Sequence, residues 1–170
     1  MSSEAKQIVM RPIGVIRSPH RTPAGTPIQP TYAKDVEGEV VVAAELEPAL
    51  ADIDGFERIW LVYCFDRAGP FRPRVVPYRD NQERGLFATR APSRPNPLGL
   101  SVVRLLSRQG NVLRVRGLDI LDGTPLLDIK PYVPEFDAHP DSEAGWLEAR
   151  REERREADGR FHPSGPGSKR

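Results

Sequence analysis

Apolar positions along the chain fall into short runs separated by proline and glycine. The runs are "RPIGVIRS" (11–18), "GEVVVAAEL" (38–46), "RIWLVYCF" (58–65), "RGLFATR" (84–90), "GLSVVRLL" (99–106) and "NVLRVRGLDI" (111–120). Each has the length and the β-branched content of a strand, and the last shows partial two-residue alternation. Gln109-Gly110-Asn111 between the final two runs predicts a hairpin turn. One short helix is predicted over 47–59, where Leu46, Leu50 and Ile53 recur at helical spacing and Gly55 is a natural stop. With 18 prolines in 170 residues, long helices are excluded, and no strand–long helix–strand alternation suggests a doubly wound sheet. The expected fold is mostly β: a compact antiparallel β-barrel with short helices.

The pattern changes near the end. Residues 1–145 read as the barrel domain and 146–170 as a charged helical and disordered tail. "WLEARREERREADGR" places Glu148 with Arg151 and Glu152 with Arg155 on a solvated helix, and the last dozen residues are Pro, Ser and Gly-rich.

Composition narrows the setting. Cys64 is the lone cysteine, which excludes an internal disulfide and a cysteine-rich zinc site. His20, His139 and His162 are too scattered to suggest a metal centre, so no metal is expected. No apolar run is long enough for a membrane span, and the N-terminus lacks the apolar core of a signal peptide, so a cytoplasmic location is expected.

The net charge of +1 hides a strong asymmetry. Between Arg67 and Arg116 stand eleven arginines against Asp80 and Glu83, whereas Glu37 to Glu57 is acidic. Such a stretch either attracts an anionic partner or consists of solvated arginines.

Two segments carry the chemistry. In "ATRAPSRPNPLGLS" (88–101), Pro92, Pro95 and Pro97 stiffen a corner that holds Arg90 and Arg94. A pre-ordered guanidinium pairs with a carboxylate or phosphate at reduced entropic cost, although capping of backbone carbonyls uses the same residues. In "LDILDGTPLLDIKPY" (118–132), Asp122-Gly123-Thr124-Pro125 is a turn signal, and Asp128 and Lys130 share a face if the segment is extended. "GTPIQPTY" (25–32) reads as a stiff lip offering backbone groups and the Gln29 amide, and Asp66-Arg67 follows an apolar strand. The glycine-rich nucleotide loops, the zinc-protease helix and the serine-hydrolase elbow are all absent from the sequence.

These segments, in this order, resemble the TsaA-like (TrmO-like) family at 13–19, 55–62, 85–105 and 118–134. The resemblance implies an S-adenosyl-L-methionine-dependent methyltransferase built on a small β-barrel. It also implies a homodimer with its cofactor near the subunit interface, and N6-methylation of N6-threonylcarbamoyladenosine beside the tRNA anticodon. Carried onto this chain, the family's cofactor contacts fall on Pro27, Ile28, Gln29, Asp66, Arg67, Arg90, Leu100, Asp122, Gly123, Thr124 and Pro125. Many family members have His at the position of Asp66, and longer ones continue into a C-terminal domain. Tyr32, Asp66 and Asp128 are the candidates for taking the acceptor's proton. The alternatives are a cofactor-binding regulatory module without catalysis, a methyltransferase with a non-tRNA substrate, and an RNA-binding barrel that uses the arginines alone.

Overall fold

Alternation of inward and outward side chains governs the architecture. In the computed structural model, which describes residues 7–149 and 155–163, eight strands follow in chain order. They are β1 (Gly14–Arg17), β2 (Glu37–Val42), β3 (Arg58–Cys64), β4 (Arg74–Val75), β5 (Arg84–Gly85), β6 (Leu98–Gln109), β7 (Val112–Arg116) and β8 (Thr124–Pro131). Six of them close into an antiparallel barrel in the order β1-β2-β7-β6-β3-β8, and β4 and β5 form a separate ribbon. The barrel and its antiparallel sense agree with the sequence reading.

Every second residue of β3 points inward, so Ile59, Leu61 and Tyr63 are buried together with Ile16, Val40, Val103, Leu113, Val115 and Leu126. Each such aliphatic side chain contributes about 1.5–3 kcal/mol by leaving water. The β6–β7 hairpin turns at Gly110, whose φ of +59° suits a residue without Cβ. The long β6 serves both β3 and β7, and its register with β7 shifts between Leu105 and Ser107, a bulge that lets one strand turn the barrel wall. A second shift falls opposite Val62 and Tyr63, whose β8 partners step from Asp128 to Leu126.

Four sequence expectations need correction. The 47–59 helix is replaced by two 3-10 stretches, Ala44–Leu50 and Ile53–Gly55, because Pro48 interrupts the α pattern and Asp52 takes a left-handed φ of 65°. The 84–90 run is a strand only at Arg84–Gly85; Leu86–Ala88 is a 3-10 turn that tucks Leu86 into a small satellite core. An eighth strand, β8, occupies the segment read chiefly as a turn.

The tail is the fourth. Residues 150–154 of the predicted helix, including Arg151 and Glu152 of its two ion pairs, lie outside the described residues, but 155–163 fold back onto the barrel domain. Glu156 bridges Pro27, and backbone bonds join Gly25 N to Ala157 O (3.0 Å), Ala157 N to Thr26 O (2.7 Å) and Ile28 N to Arg155 O (2.9 Å). Phe161 is 4% exposed against Val75, Leu86 and Ala91, with the Tyr78 ring edge-on at 5.0 Å. These contacts anchor the lip from one side and the proline corner from below.

Candidate functional site

One end of the barrel is left open where β3 ends, β6 begins and the β7–β8 connection crosses. The lip at 23–29 and the corner at 89–94 roof this end and enclose a cavity of about 330 Å³. That volume lies at the lower end of the small-molecule range. Of the residues expected from the sequence, Pro27, Ile28, Gln29, Asp66, Arg67, Arg90, Leu100 and Thr124 line it, although they come from four separate stretches of chain.

The two corner arginines divide the two readings offered for them. Arg94 Nη1 donates to the carbonyls of Thr89 (3.0 Å) and Ala91 (3.3 Å), so it braces the corner. Arg90 Nη1 instead reaches across to the lip and donates to Gln29 Oε1 at 2.7 Å. Arg67 Nη2 donates to Thr124 Oγ1 at 3.0 Å, and Thr124 in turn donates to Leu121 O at 2.7 Å. Asp66 sits beside Arg67 at 3.3 Å on the cavity rim.

Three expected contacts lie outside the lining. The N–H groups of Asp122 and Gly123 donate to His20 O (2.7 Å) and Ile16 O (2.8 Å), and Asp122 Oδ1 accepts from Ser18 N at 3.1 Å. That turn therefore fastens β1 to β8 instead of presenting free donors, and Pro125 pairs with Val15 within the sheet. Among the proton-acceptor candidates, only Asp66 faces the cavity. Tyr32 ends the 3-10 turn Pro30–Tyr32, and Asp128 lies mid-strand with its carboxylate 3.0 Å from Lys130.

The cavity floor holds a polar chain that the sequence reading missed. Ser101 Oγ donates to Asp119 Oδ1 at 2.7 Å, so its lone pair receives the Tyr63 phenol at 3.0 Å. Enclosure by protein pushes the Asp119 carboxyl up to about 7, offset in part by the Ser101 hydrogen bond and then by the charge of Arg90. Burial, with the charge of Asp119 adding to it, raises the Tyr63 phenol further, so that hydroxyl stays protonated. The signal was present in the sequence: Ser101 is a lone polar residue at an inward position between Gly99 and Val103. Gly99 is itself required there, because a Cβ would collide with the Tyr63 ring.

The electrostatics of the arginine-rich segment also change on folding. Arg104, Arg108, Arg114 and Arg116 pair with Glu57, Glu47 and Glu37 of the acidic segment, and Arg74 and Arg84 pair with Glu83 and Asp80. Arg114 and Arg116 together hold the Glu37 carboxyl below its usual range, the Arg116 hydrogen bond being the largest cause. Sequence asymmetry is thus largely neutralised in space, and Arg90 is held by a neutral amide. Among the described residues no group of three or more His, Cys, Asp or Glu is placed to hold a metal ion. No helix among them is long and apolar enough to cross a membrane.

Comparison with known proteins bears on this cavity. Residues 15–138 match the family model described as the tRNA-methyltransferase O N-terminal domain. A probable S-adenosyl-L-methionine-binding protein of Pyrococcus abyssi is 54% identical over 156 residues, which is 91% of this chain and 85% of that protein. A tRNA (adenine(37)-N6)-methyltransferase of Escherichia coli is 37% identical over 81% of this chain and 63% of that enzyme. The crystal structure of TrmO from Pseudomonas aeruginosa superposes with a TM-score of 0.71 at 36% identity, covering 83% of this chain and 63% of that one. The chain therefore spans less than two thirds of these two longer relatives.

Proposed function

Because the chain belongs to the tRNA-methyltransferase O N-terminal domain family, we propose that it binds S-adenosyl-L-methionine in the barrel-end cavity and methylates N6 of an adenine in tRNA. The specific acceptor we propose is N6-threonylcarbamoyladenosine beside the anticodon. The observation that carries the reading is the convergence of Gln29, Arg67, Arg90, Leu100 and Thr124 on one cavity.

The lining suits this molecule by its chemistry. Arg90 and Arg67 offer guanidinium groups to a carboxylate, Asp119 and Asp66 offer carboxylates to positive charge, and Pro27, Phe65, Leu98 and Leu100 offer apolar surface to a purine. When bound, the cofactor supplies a methyl group already activated on a sulfonium; on transfer the carbon–sulfur electron pair stays with sulfur and the acceptor nitrogen gives up its proton.

What the chain must add is position and a dry surrounding. Proline stiffening of the 89–97 corner and the buried Pro92 and Ser93 keep Arg90 in place with little entropy left to lose. Ser101 and Tyr63 fix the orientation of Asp119, whose negative charge offsets the cation. Asp66, at the rim, is the remaining candidate to take the acceptor's proton. We further propose that the chain works as a homodimer in the cytoplasm. Phe71 (52% exposed), Leu100 (54%) and Phe136 (68%) are apolar side chains that a second subunit would cover.

A second reading, cofactor binding without methyl transfer, has the name of the Pyrococcus abyssi relative in its favour, which specifies binding alone. Incubating the chain with methyl-labelled cofactor and tRNA from cells lacking this methylation separates the two. Label in adenosine of that tRNA supports the enzyme reading. Binding with label in no RNA favours the second.

A further inference from the structure

A second cavity, of about 440 Å³, lies against the first. The two share Ile28, Gln29, Tyr78, Thr89 and Arg90, so the Arg90–Gln29 hydrogen bond is part of the partition between them. The walls beyond that partition are aromatic, with Phe87 from the 3-10 turn before the proline corner and Trp146 and Phe161 from the C-terminal segment. Phe87 is 78% exposed, an unfavourable place for a phenyl ring that serves packing alone. Trp146 is held by its indole N–H, which donates to Ala88 O at 2.8 Å. Guanidinium groups stand over both rings: Arg94 lies 5.5 Å from the Phe87 centroid and Arg84 lies 5.2 Å from that of Trp146.

Accessible aromatic rings of this kind form the usual surface for an unpaired nucleobase, which stacks on a ring face. Arg94, bonded to the corner's carbonyls, and Arg84, paired with Asp80, hold the rings from their other side. We propose that this second cavity receives the acceptor nucleobase of an RNA strand, stacked on Phe87 or Trp146, with its exocyclic nitrogen turned toward the Arg90–Gln29 partition. The inference rests on the proposed function, since it takes the first cavity to hold the methyl donor. Contiguity of the two cavities is what selects a nucleobase over other flat ligands. It also gives the C-terminal segment a role, because Trp146 and Phe161 complete the walls.

The test uses the full chain with Phe87→Ala, Trp146→Ala and Trp146→Phe. The probe is an anticodon stem-loop RNA carrying threonylcarbamoyladenosine, titrated in the presence of sinefungin, an unreactive cofactor analogue. Each alanine variant should weaken RNA binding by about ten-fold, about 1.4 kcal/mol, with cofactor affinity within two-fold of wild type, and Trp146→Phe should restore it. In a Trp60→Phe background the same RNA should quench the fluorescence of Trp146. Unchanged RNA affinity in both alanine variants would overturn the site, as would a shift of a dimeric chain to monomer, which assigns the rings to a second copy. Quenching by the stem-loop with no label transferred to RNA leaves the base site standing and removes the enzyme reading. Label transfer that neither ring affects does the reverse.

Discussion

Asp119 gives the sharpest stability test of the site. In the unfolded chain its carboxyl titrates near 3.8, whereas enclosure on the cavity floor raises it to about 7. The folded state therefore binds the proton more tightly than the unfolded state. Stability from this group is fully present below pH 4, declines as pH rises, and levels off above about 7. At about 1.36 kcal/mol per pH unit, the full window amounts to about 4 kcal/mol, an upper bound because Asp119 keeps some contact with cavity solvent. Roughly half or more of it, about 2–3 kcal/mol, falls between pH 5 and pH 8. Asp119→Asn preserves the shape and can still accept from Ser101, but it does not titrate. Urea unfolding of both proteins at the two pH values isolates this group from the others: the stability of the variant relative to wild type should rise by up to about 2–3 kcal/mol from pH 5 to pH 8. A positively charged ligand selects the ionised form, so wild-type affinity for S-adenosyl-L-methionine should also increase through pH 7, and that dependence should be absent in the variant. A stability difference that is the same at both pH values would refute the assigned burial and the role built on it.

Arg90→Ala should weaken cofactor binding by about 1.5–3 kcal/mol in calorimetry, with the melting temperature of the free protein little changed, since its side chain is exposed and bonds only to Gln29 among the described partners. Gly99→Ala should lower stability by about 1–3 kcal/mol in chemical denaturation and reduce cofactor affinity with it, because the added methyl must displace the Tyr63 ring. Removing residues 146–170 should impair cofactor binding as well as tRNA methylation. Ala157 and His162 line the first cavity, and His162 Nδ1 lies 2.9 Å from Arg67 O. Retained cofactor affinity after that truncation would show the tail to be dispensable for the first cavity, the outcome expected from reading it as an independent charged appendage.

Much of the barrel was legible because its strands carry their own pattern: β3 alternates buried and accessible residues from Arg58 to Cys64, and Gly110 marks its hairpin. The strand β8 was obscured by Pro125, Asp128 and Pro131, and by the register shift at Tyr63, which together break the two-residue period. The tail misled because Phe161, a single apolar residue in a polar stretch, meets a satellite core assembled from 75–91 only in space. For the site, stiff backbone was the readable feature, and the lip and Arg90 line the cavity. The Asp122 turn also formed, but its donors went to the fold. Asp119 and Tyr63 share a cavity, joined through the buried Ser101, only once β3, β6 and the β7–β8 connection close together, which no local stretch reveals. Charge was the least transferable signal, since the arginine-rich and acidic stretches lie far apart in sequence and pair across the sheet.

The central claim is that the barrel-end cavity is a cofactor site, and titration calorimetry of the purified chain with S-adenosyl-L-methionine tests it most directly. One binding event at roughly micromolar affinity, about −8 kcal/mol, is the predicted result. No heat and no thermal shift at millimolar cofactor would contradict the account.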